Sequence, residues 1–416
     1  MSALLNLIRE EFIIKINKLN NVVQRNVHIN EMPNKIKVII GMRRTGKTYY
    51  LLNQIKQLLE SGLPYSRLIY INLEDDRLQP MNAKQLADLV DEFYALYPEN
   101  HRQRCYLFFD EIQTVENWPK YIRRLQDTKD VEIYLTGSSA KLLSKEIATE
   151  LRGRSVAFEM WPFNFSEYLL SQTIKYTKPQ NKIALDDYTA LLQNYLLTGG
   201  FPEISMYSFI EKNKVLQDYV DVVIYRDIIE RYRITNLDLI KYMIKYLIKN
   251  AATNISLNKL YNDLKSQGYT IGRTTVYDYL NYISDAYLAF LVPLYSESVR
   301  KTQSNPRKIY TIDTGLTKAY SLSNTMNIGH LFENMFYLDL RRRGDEIYFY
   351  HTHEKYEIDF FTRSIDGTLN LYQVAWDISD PKTLEREQRA LESAEKELSI
   401  KGHLITPMTY LQSDFI

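Results

Sequence analysis

The chain has 416 residues, 45% of them hydrophobic, enough for two or three domains of roughly 100–200 residues each. Lys and Arg number 52 against 51 Asp and Glu, so net charge argues for no nucleic-acid partner, although local basic patches stay open. A single cysteine, Cys105, excludes an intramolecular disulfide and a cysteine-built zinc site. No apolar run approaches the roughly 20 residues of a membrane span, and no secretory pattern opens the chain, so a cytoplasmic protein without a membrane partner is expected.

Residues 1–34 read as a helical lead-in, with Leu5, Ile8, Phe12, Ile13 and Ile16 at helical spacing. Strands are expected at 36–40, 67–73, 105–110 and 131–136, and helices at 48–60, 83–96, 118–127 and 140–150. This alternation predicts an α/β fold, a mostly parallel sheet covered by helices on both faces. After Trp161-Pro162-Phe163 the chain turns largely helical to about 250, broken at Thr198-Gly199-Gly200-Phe201-Pro202. Residues 256–295 read as helix, turn, helix, strand. From 330 helix and strand mix again: 330–343 helical, 346–351, 356–363 and 369–376 extended, 382–398 helical. The expected domains are 1–34, 35–165, 166–325 and 326–416. Most of the 34 tyrosines sit in core-like patterns and read as half-buried packing residues.

The strongest motif follows the strand at 36–40. Gly41-Met42-Arg43-Arg44-Thr45-Gly46-Lys47-Thr48 is a complete G-x-x-x-x-G-K-S/T pattern set between a strand and a helix. The two glycines free the backbone to turn its N–H groups toward phosphates. Lys47 would reach the β- and γ-phosphates and Thr48 would hold Mg2+, with the helix N-terminus adding positive charge. This points to ATP and Mg2+ as cofactors.

Cys105-Tyr106-Leu107-Phe108-Phe109-Asp110-Glu111 ends a buried strand on two carboxylates. In a nucleotide site Asp110 would serve the Mg2+ and Glu111 would act as general base on water; an acid-rich helix start is the alternative. Ile133-Tyr134-Leu135-Thr136-Gly137-Ser138-Ser139 ends another strand in small polar groups. Thr136 and Ser138 could sense the γ-phosphate, or Ser138 or Ser139 could cap the helix that follows. Leu151-Arg152-Gly153-Arg154 brings two arginines suited to phosphate charge, though spacing alone favours surface ion pairs.

Together these runs, with Trp161-Pro162-Phe163-Asn164-Phe165-Ser166-Glu167-Tyr168, resemble the AAA-type ATP-binding proteins of bacteria and archaea. Leu197-Thr198-Gly199-Gly200-Phe201-Pro202-Glu203, Tyr225-Arg226-Asp227-Ile228, Lys308-Ile309-Tyr310-Thr311-Ile312-Asp313-Thr314-Gly315-Leu316 and Phe332-Glu333-Asn334-Met335-Phe336 extend the likeness to members with a C-terminal domain of unknown function. The resemblance covers nearly all residues from about 35 onward. It implies an ATPase core, a winged-helix region and a C-terminal domain with a restriction-endonuclease-like fold. It also implies a homo-oligomer in which Arg152 or Arg154 reaches a neighbour's ATP, and an unknown protein client.

The winged-helix region would run from Ser256 to Val292. Its recognition helix, Arg273-Thr274-Thr275-Val276-Tyr277-Asp278-Tyr279-Leu280, would turn Thr274 or Thr275 outward. DNA is one partner for it, although the helix has few cations; packing against other domains is the alternative. In the C-terminal region Glu333, Asp359 and Gln373 follow the order of a metal-dependent nuclease site. Gln373 stands where a second acid is expected and Ala375 where the lysine is, with Trp376 beside it, so hydrolysis is expected to be lost. Lys355 and Lys382 are the lysines nearest in sequence.

Overall fold

The structure, a computed structural model, describes residues 2–20, 22–27, 32, 34–138, 151–298, 306–321 and 327–416. It divides into two compact units, Met1–Met160 and Trp161–Ile416. The boundary expected near 325 lies inside the second unit. The helix expected at 140–150, and Ser139 before it, lie outside the described residues.

In the first unit five strands form one parallel sheet: β1 (Ile36–Ile40), β2 (Leu68–Asn72), β3 (Cys105–Asp110), β4 (Val131–Gly137) and β5 (Ser155–Glu159), in the order β2-β3-β4-β1-β5. Every residue of β1 is buried, as are five of six in β3. Strands covered on both faces read as continuous apolar runs, which is why these were visible in the sequence. Edge strand β5, Ser-Val-Ala-Phe-Glu, is half-exposed and carries no such run; no strand was expected there. The covering helices include α1 (Ser2–Asn17), α2 (Lys47–Glu60), α3 (Ala83–Leu96) and α4 (Trp118–Thr128). Helix α3 starts on a reciprocal cap between Asn82 and Gln85. The N-terminal helix belongs to this core: Phe12 stacks on Tyr70 at 5.0 Å, and Phe12, Ile16 and Leu19 pack with Ile39, Leu51 and Ile55. Cys105 opens β3 fully buried, and burial pushes its thiol above the ordinary value.

The second unit begins with α5 (Phe165–Ser171), α6 (Lys182–Thr198), α7 (Phe209–Val222) and α8 (Leu237–Lys249). Helix α8 buries Leu239, Ile240, Met243, Ile244, Leu247 and Ile248, a single helical stripe. Next come β6 (Asn254–Ile255), α9 (Leu257–Ser266), α10 (Arg273–Asp285), β7 (Ala289–Pro293) and β8 (Arg307–Thr311). The strands pair antiparallel in the order β6-β8-β7.

Helices α11 (Thr314–Tyr320) and α12 (Ile328–Arg342) lead to a second sheet of β9 (Glu346–His351), β10 (Glu357–Arg363), β11 (Leu369–Val374) and β12 (Gly402–Ile405), in that order. Its first two pairings are antiparallel and the last is parallel. A parallel pair needs a crossover, and α13 (Pro381–Leu398) supplies it, burying Ala390, Leu391 and Ala394 against Ile358, Phe361 and Leu371. Phe336 of α12 meets Phe360 and Tyr372 with ring centroids 5.7 and 5.2 Å apart.

Two of the family-like phrases meet in this unit. Buried Asp313 accepts the N–H of Gly200 at 2.6 Å and that of Gly315 at 2.8 Å. A Cβ at Gly199 would lie 2.0 Å from Asp313 Oδ1, so the glycine there is required by contact. Burial raises Asp313 to about 6, against the opposing backbone donors.

Candidate nucleotide site

In a parallel sheet all strands end on the same edge, where ligands bind. The C-terminal ends of β1, β3 and β4 bring Gly41–Thr48, Asp110–Glu111 and Thr136–Ser138 together there.

Gly41 leaves β1 with φ 154°, and Met160 donates its N–H to Ile40 O at 2.6 Å. A Cβ at position 41 would stand 2.2 Å from the Met160 carbonyl oxygen, so this position has no space for a side chain. Gly46 takes φ 98° immediately before α2. Thr45 closes the loop on itself, donating to Met42 O at 2.9 Å, and Arg25 donates to Thr45 O at 2.8 Å. Met42 and Thr45 are fully buried. Arg43 pairs with Glu74 at 2.9 Å, while Arg44 is exposed with φ 68°.

Lys47 is 4% exposed. Its ammonium donates to the carbonyls of Gly41 and Met42, each at 3.0 Å, and lies 3.6 Å from Glu111 Oε1. Thr48 donates to Asp110 Oδ2 at 2.7 Å, and the Tyr70 hydroxyl donates to the same oxygen at 3.0 Å. Thr136 donates to Asp110 Oδ1 and accepts the Glu111 N–H at 2.8 Å. Gln113 Nε2 donates to Glu111 Oε2 at 2.6 Å and to Ser138 Oγ at 3.3 Å. Glu111 itself has φ 57°, a left-handed conformation rare outside glycine and typical of constrained functional positions.

The two carboxylates are driven apart electrostatically. Burial raises Asp110, and the adjacent charge of Glu111 adds to this against three hydroxyl donors. Burial also pushes Glu111 upward, but the Lys47 ammonium and Gln113 outweigh it and hold the carboxyl below its ordinary value. The Glu111 carboxyl is thus biased toward its ionised form.

The expected residues Gly41 to Thr48, Asp110, Glu111, Thr136 and Ser138 therefore meet at one edge. Thr136 is fully buried with its hydroxyl committed to both acidic residues, so it braces them. Arg152 and Arg154 lie elsewhere. Arg154 O accepts the N–H of Ile36, at the start of β1, and β5 spans five residues of about 3.3 Å rise, placing Arg154 about 16 Å from the phosphate-loop edge. Its guanidinium grips Asp127 at 2.9 and 3.2 Å; Arg152 is exposed, with φ 49°. Tyr70, Gln113 and Arg25 were not singled out from the sequence. Gln113 lies two residues past the Cys105–Glu111 run, whereas Tyr70 looked like any strand aromatic.

In the second unit Glu333 and Asp359 do come together, but around Lys308, a residue not anticipated in that role. Its Nζ lies 2.8 Å from oxygens of Glu333, Glu357 and Asp359. Gln373 bonds the Asp359 N–H at 3.2 Å and Glu387 at 2.7 Å. Lys355 and Lys382 are exposed.

The chain is similar to known proteins over most of its length. Residues 33–169 match the AAA domain, and residues 189–326 match a domain of unknown function (DUF8612). The uncharacterized protein MJ1544 of Methanocaldococcus jannaschii is 38% identical over 406 residues, covering 97% of this chain and 88% of its own. An uncharacterized protein of Haemophilus influenzae is 29% identical, covering 83% of each chain. Among solved structures, the Aeropyrum pernix ORC1 protein in complex with DNA overlaps 75% of this chain and 92% of its own, at 11% identity and a TM-score of 0.33, too loose to bear on function. No helix among the described residues is long and apolar enough to cross a membrane. The parallel sheet with its phosphate loop is an AAA domain, and the chain belongs to the family of AAA-type P-loop proteins that carry this domain of unknown function after it.

Proposed function

We propose that the protein is a Mg2+-dependent ATP hydrolase that couples nucleotide state to domain rearrangement or to binding of a protein client. The observation that carries this reading is the convergence of Lys47, Thr48, Asp110 and Glu111 on one strand edge. The residues fit ATP and Mg2+: a loop with no room for a side chain at Gly41, a buried ammonium, and a hydroxyl already paired with a carboxylate. Lys47 would exchange its two backbone carbonyls for phosphate oxygens. Thr48 and Asp110 would hold Mg2+, which supplies charge neutralisation to the phosphates. Glu111 would take the proton of the attacking water. Binding of a fluorescent ATP analogue and single-turnover hydrolysis test this together. Lys47→Ala is expected to lose binding; a parent that binds but turns nothing over is a nucleotide-dependent scaffold instead.

The exposure of Arg152 supports a homo-oligomer reading in which this residue, ahead of the Asp127-bound Arg154, meets a neighbour's nucleotide. The single buried thiol agrees with work in the cytoplasm.

A second reading is a DNA-binding, nuclease-related protein regulated by ATP. The succession β6-α9-α10-β7-β8 with a three-stranded antiparallel sheet supports a winged helix, and Arg273, Thr274 and Tyr277 of α10 are exposed; Thr275 is half-buried. The mixed sheet between α12 and α13 supports a restriction-endonuclease-like core. DNA affinity falling steeply with salt, and lost on Arg273→Ala, would favour this reading.

A further inference from the structure

The fold implied for the C-terminal region brings with it a divalent-cation site on Glu333 and Asp359. The donor set present does not fit that ion. Lys308 is 3% exposed and sits on β8, where its backbone is fixed between Asn254 and Val292. A protonated amine has three N–H bonds, and three carboxylate oxygens, one each from Glu333, Glu357 and Asp359, surround this one at 2.8 Å. Two of the three remaining carboxylate oxygens are taken. Glu357 Oε2 receives Asn254 at 2.7 Å and pairs with His351 at 3.2 Å, and Asp359 Oδ2 receives the Val374 N–H at 2.9 Å. Glu333 Oε1 also receives the Tyr310 hydroxyl at 2.6 Å. Gln373, the expected further ligand, spends its oxygen on Asp359 N–H and its amide on Glu387. Mg2+ wants six oxygens in near-octahedral order, several of them water. Here the centre is filled by a nitrogen, and Glu357 Oε2 and Asp359 Oδ2 on the rim are committed to protein donors.

The electrostatics agree with the geometry. A buried ammonium is tolerated when opposite charges surround it, and three carboxylates this close are tolerated when a cation stands among them.

We infer that Lys308 is the resident cation of this site, standing where a divalent ion would be held, and that its ammonium closes the site to Mg2+ and Mn2+. Lys308 thereby ties β8 to α12 and β10 by an ionic knot. The lysine missing at Ala375 has not been replaced by an equivalent beside a metal; the cation itself has been replaced.

Mn2+ binding to the full chain without nucleotide, followed by electron paramagnetic resonance, tests this. The parent and Asp359→Asn are expected to bind the same number of Mn2+ ions, whatever the phosphate-loop edge contributes to both. Lys308→Ala is expected to gain one, lost again in Lys308→Ala with Asp359→Asn. Loss of one ion from the parent on Asp359→Asn would overturn the inference, as would a folded Lys308→Ala that gains none. If Lys308→Ala folds poorly, its Tm is expected to climb with Mn2+ concentration while that of Lys308→Ala with Asp359→Asn does not. The comparison of parent with Asp359→Asn stands without it.

Discussion

Thr48 and Asp110, 62 positions apart in sequence, share a 2.7 Å hydrogen bond in which the threonine hydroxyl donates to the carboxylate. The bond joins the first turn of α2 to the end of β3, so the two groups expected to serve one cation are already side by side.

Thr136 braces that arrangement. In Thr136→Val the shape is kept, but Asp110 loses a donor and the Glu111 N–H loses its acceptor. Stability is expected to fall by about 1–3 kcal/mol, the scale for a buried polar group left unpaired. Denaturant titration checks this, and hydrolysis should suffer more than ATP affinity. A variant as stable and as active as the parent would remove the brace from the argument.

Gly41→Ala presses a methyl group onto the Met160 carbonyl, which a Cβ would approach to 2.2 Å. The expected cost is about 1–3 kcal/mol, as for other overpacked sites, with weakened nucleotide binding because the loop must move. Gly62→Ala is the control: it too has positive φ, but nothing lies within 4 Å. Loss of ATP affinity in the control alone would contradict the steric account.

Glu111 provides a pH test. Its ordinary value is 4.5, and Lys47 brings the folded-state value lower in the nucleotide-free protein. The base is therefore ionised throughout the pH range above 4.5, and protonation abolishes it on the acid side of that point. Because kcat/KM reports the free enzyme, its acid limb from this group is expected below pH 4.5. A limb near neutrality would assign the base elsewhere. Glu111→Gln is expected to keep ATP affinity and lose roughly 100- to 10,000-fold in turnover, the usual range for a general base.

For the arginines, Arg154→Ala removes an ion pair whose partners are 37% and 47% exposed, worth about 0–1 kcal/mol after solvent screening. Turnover is expected to stay within about twofold of the parent at any protein concentration, since a surface change of this kind rarely reaches a distant site. Arg152→Ala is expected to reduce turnover in an assembled oligomer. Mixing it with Lys47→Ala subunits should restore part of the loss; no restoration in a verified oligomer would rule out a shared site.

Much of the first unit could be read from sequence because its signals are local. Strands 36–40 and 105–110 and helix 83–96 have the expected limits, since continuous apolar runs and an Asn-capped amphipathic stretch mark their own ends. Gly41 to Thr48 with Asp110 and Glu111 were legible because the phosphate loop dictates residue type at fixed spacing. What stayed hidden depends on distant contact. Tyr70 bonds Asp110 across 40 residues, and Lys308 reaches Asp359 across 51, from a strand whose Arg-Lys-Ile-Tyr-Thr pattern gives no hint that the lysine points inward. Lys355 and Lys382, the lysines nearest in sequence, are exposed, and Lys308 holds the position instead: proximity in sequence says little across a sheet. The left-handed backbone of Glu111 was equally invisible, because no glycine marks it.

The buried thiol at the start of β3 has a practical consequence. Cys105 is the single cysteine, shielded from solvent and biased toward its unreactive protonated form. The natural chain is thus already a background for site-specific labelling, with no cysteine to remove first. Tyr49, 59% exposed in the first turn of α2 and next to Thr48, offers a place for one new thiol. A fluorophore attached to Tyr49→Cys would sit beside the phosphate loop and read its occupancy directly, in solution and in real time.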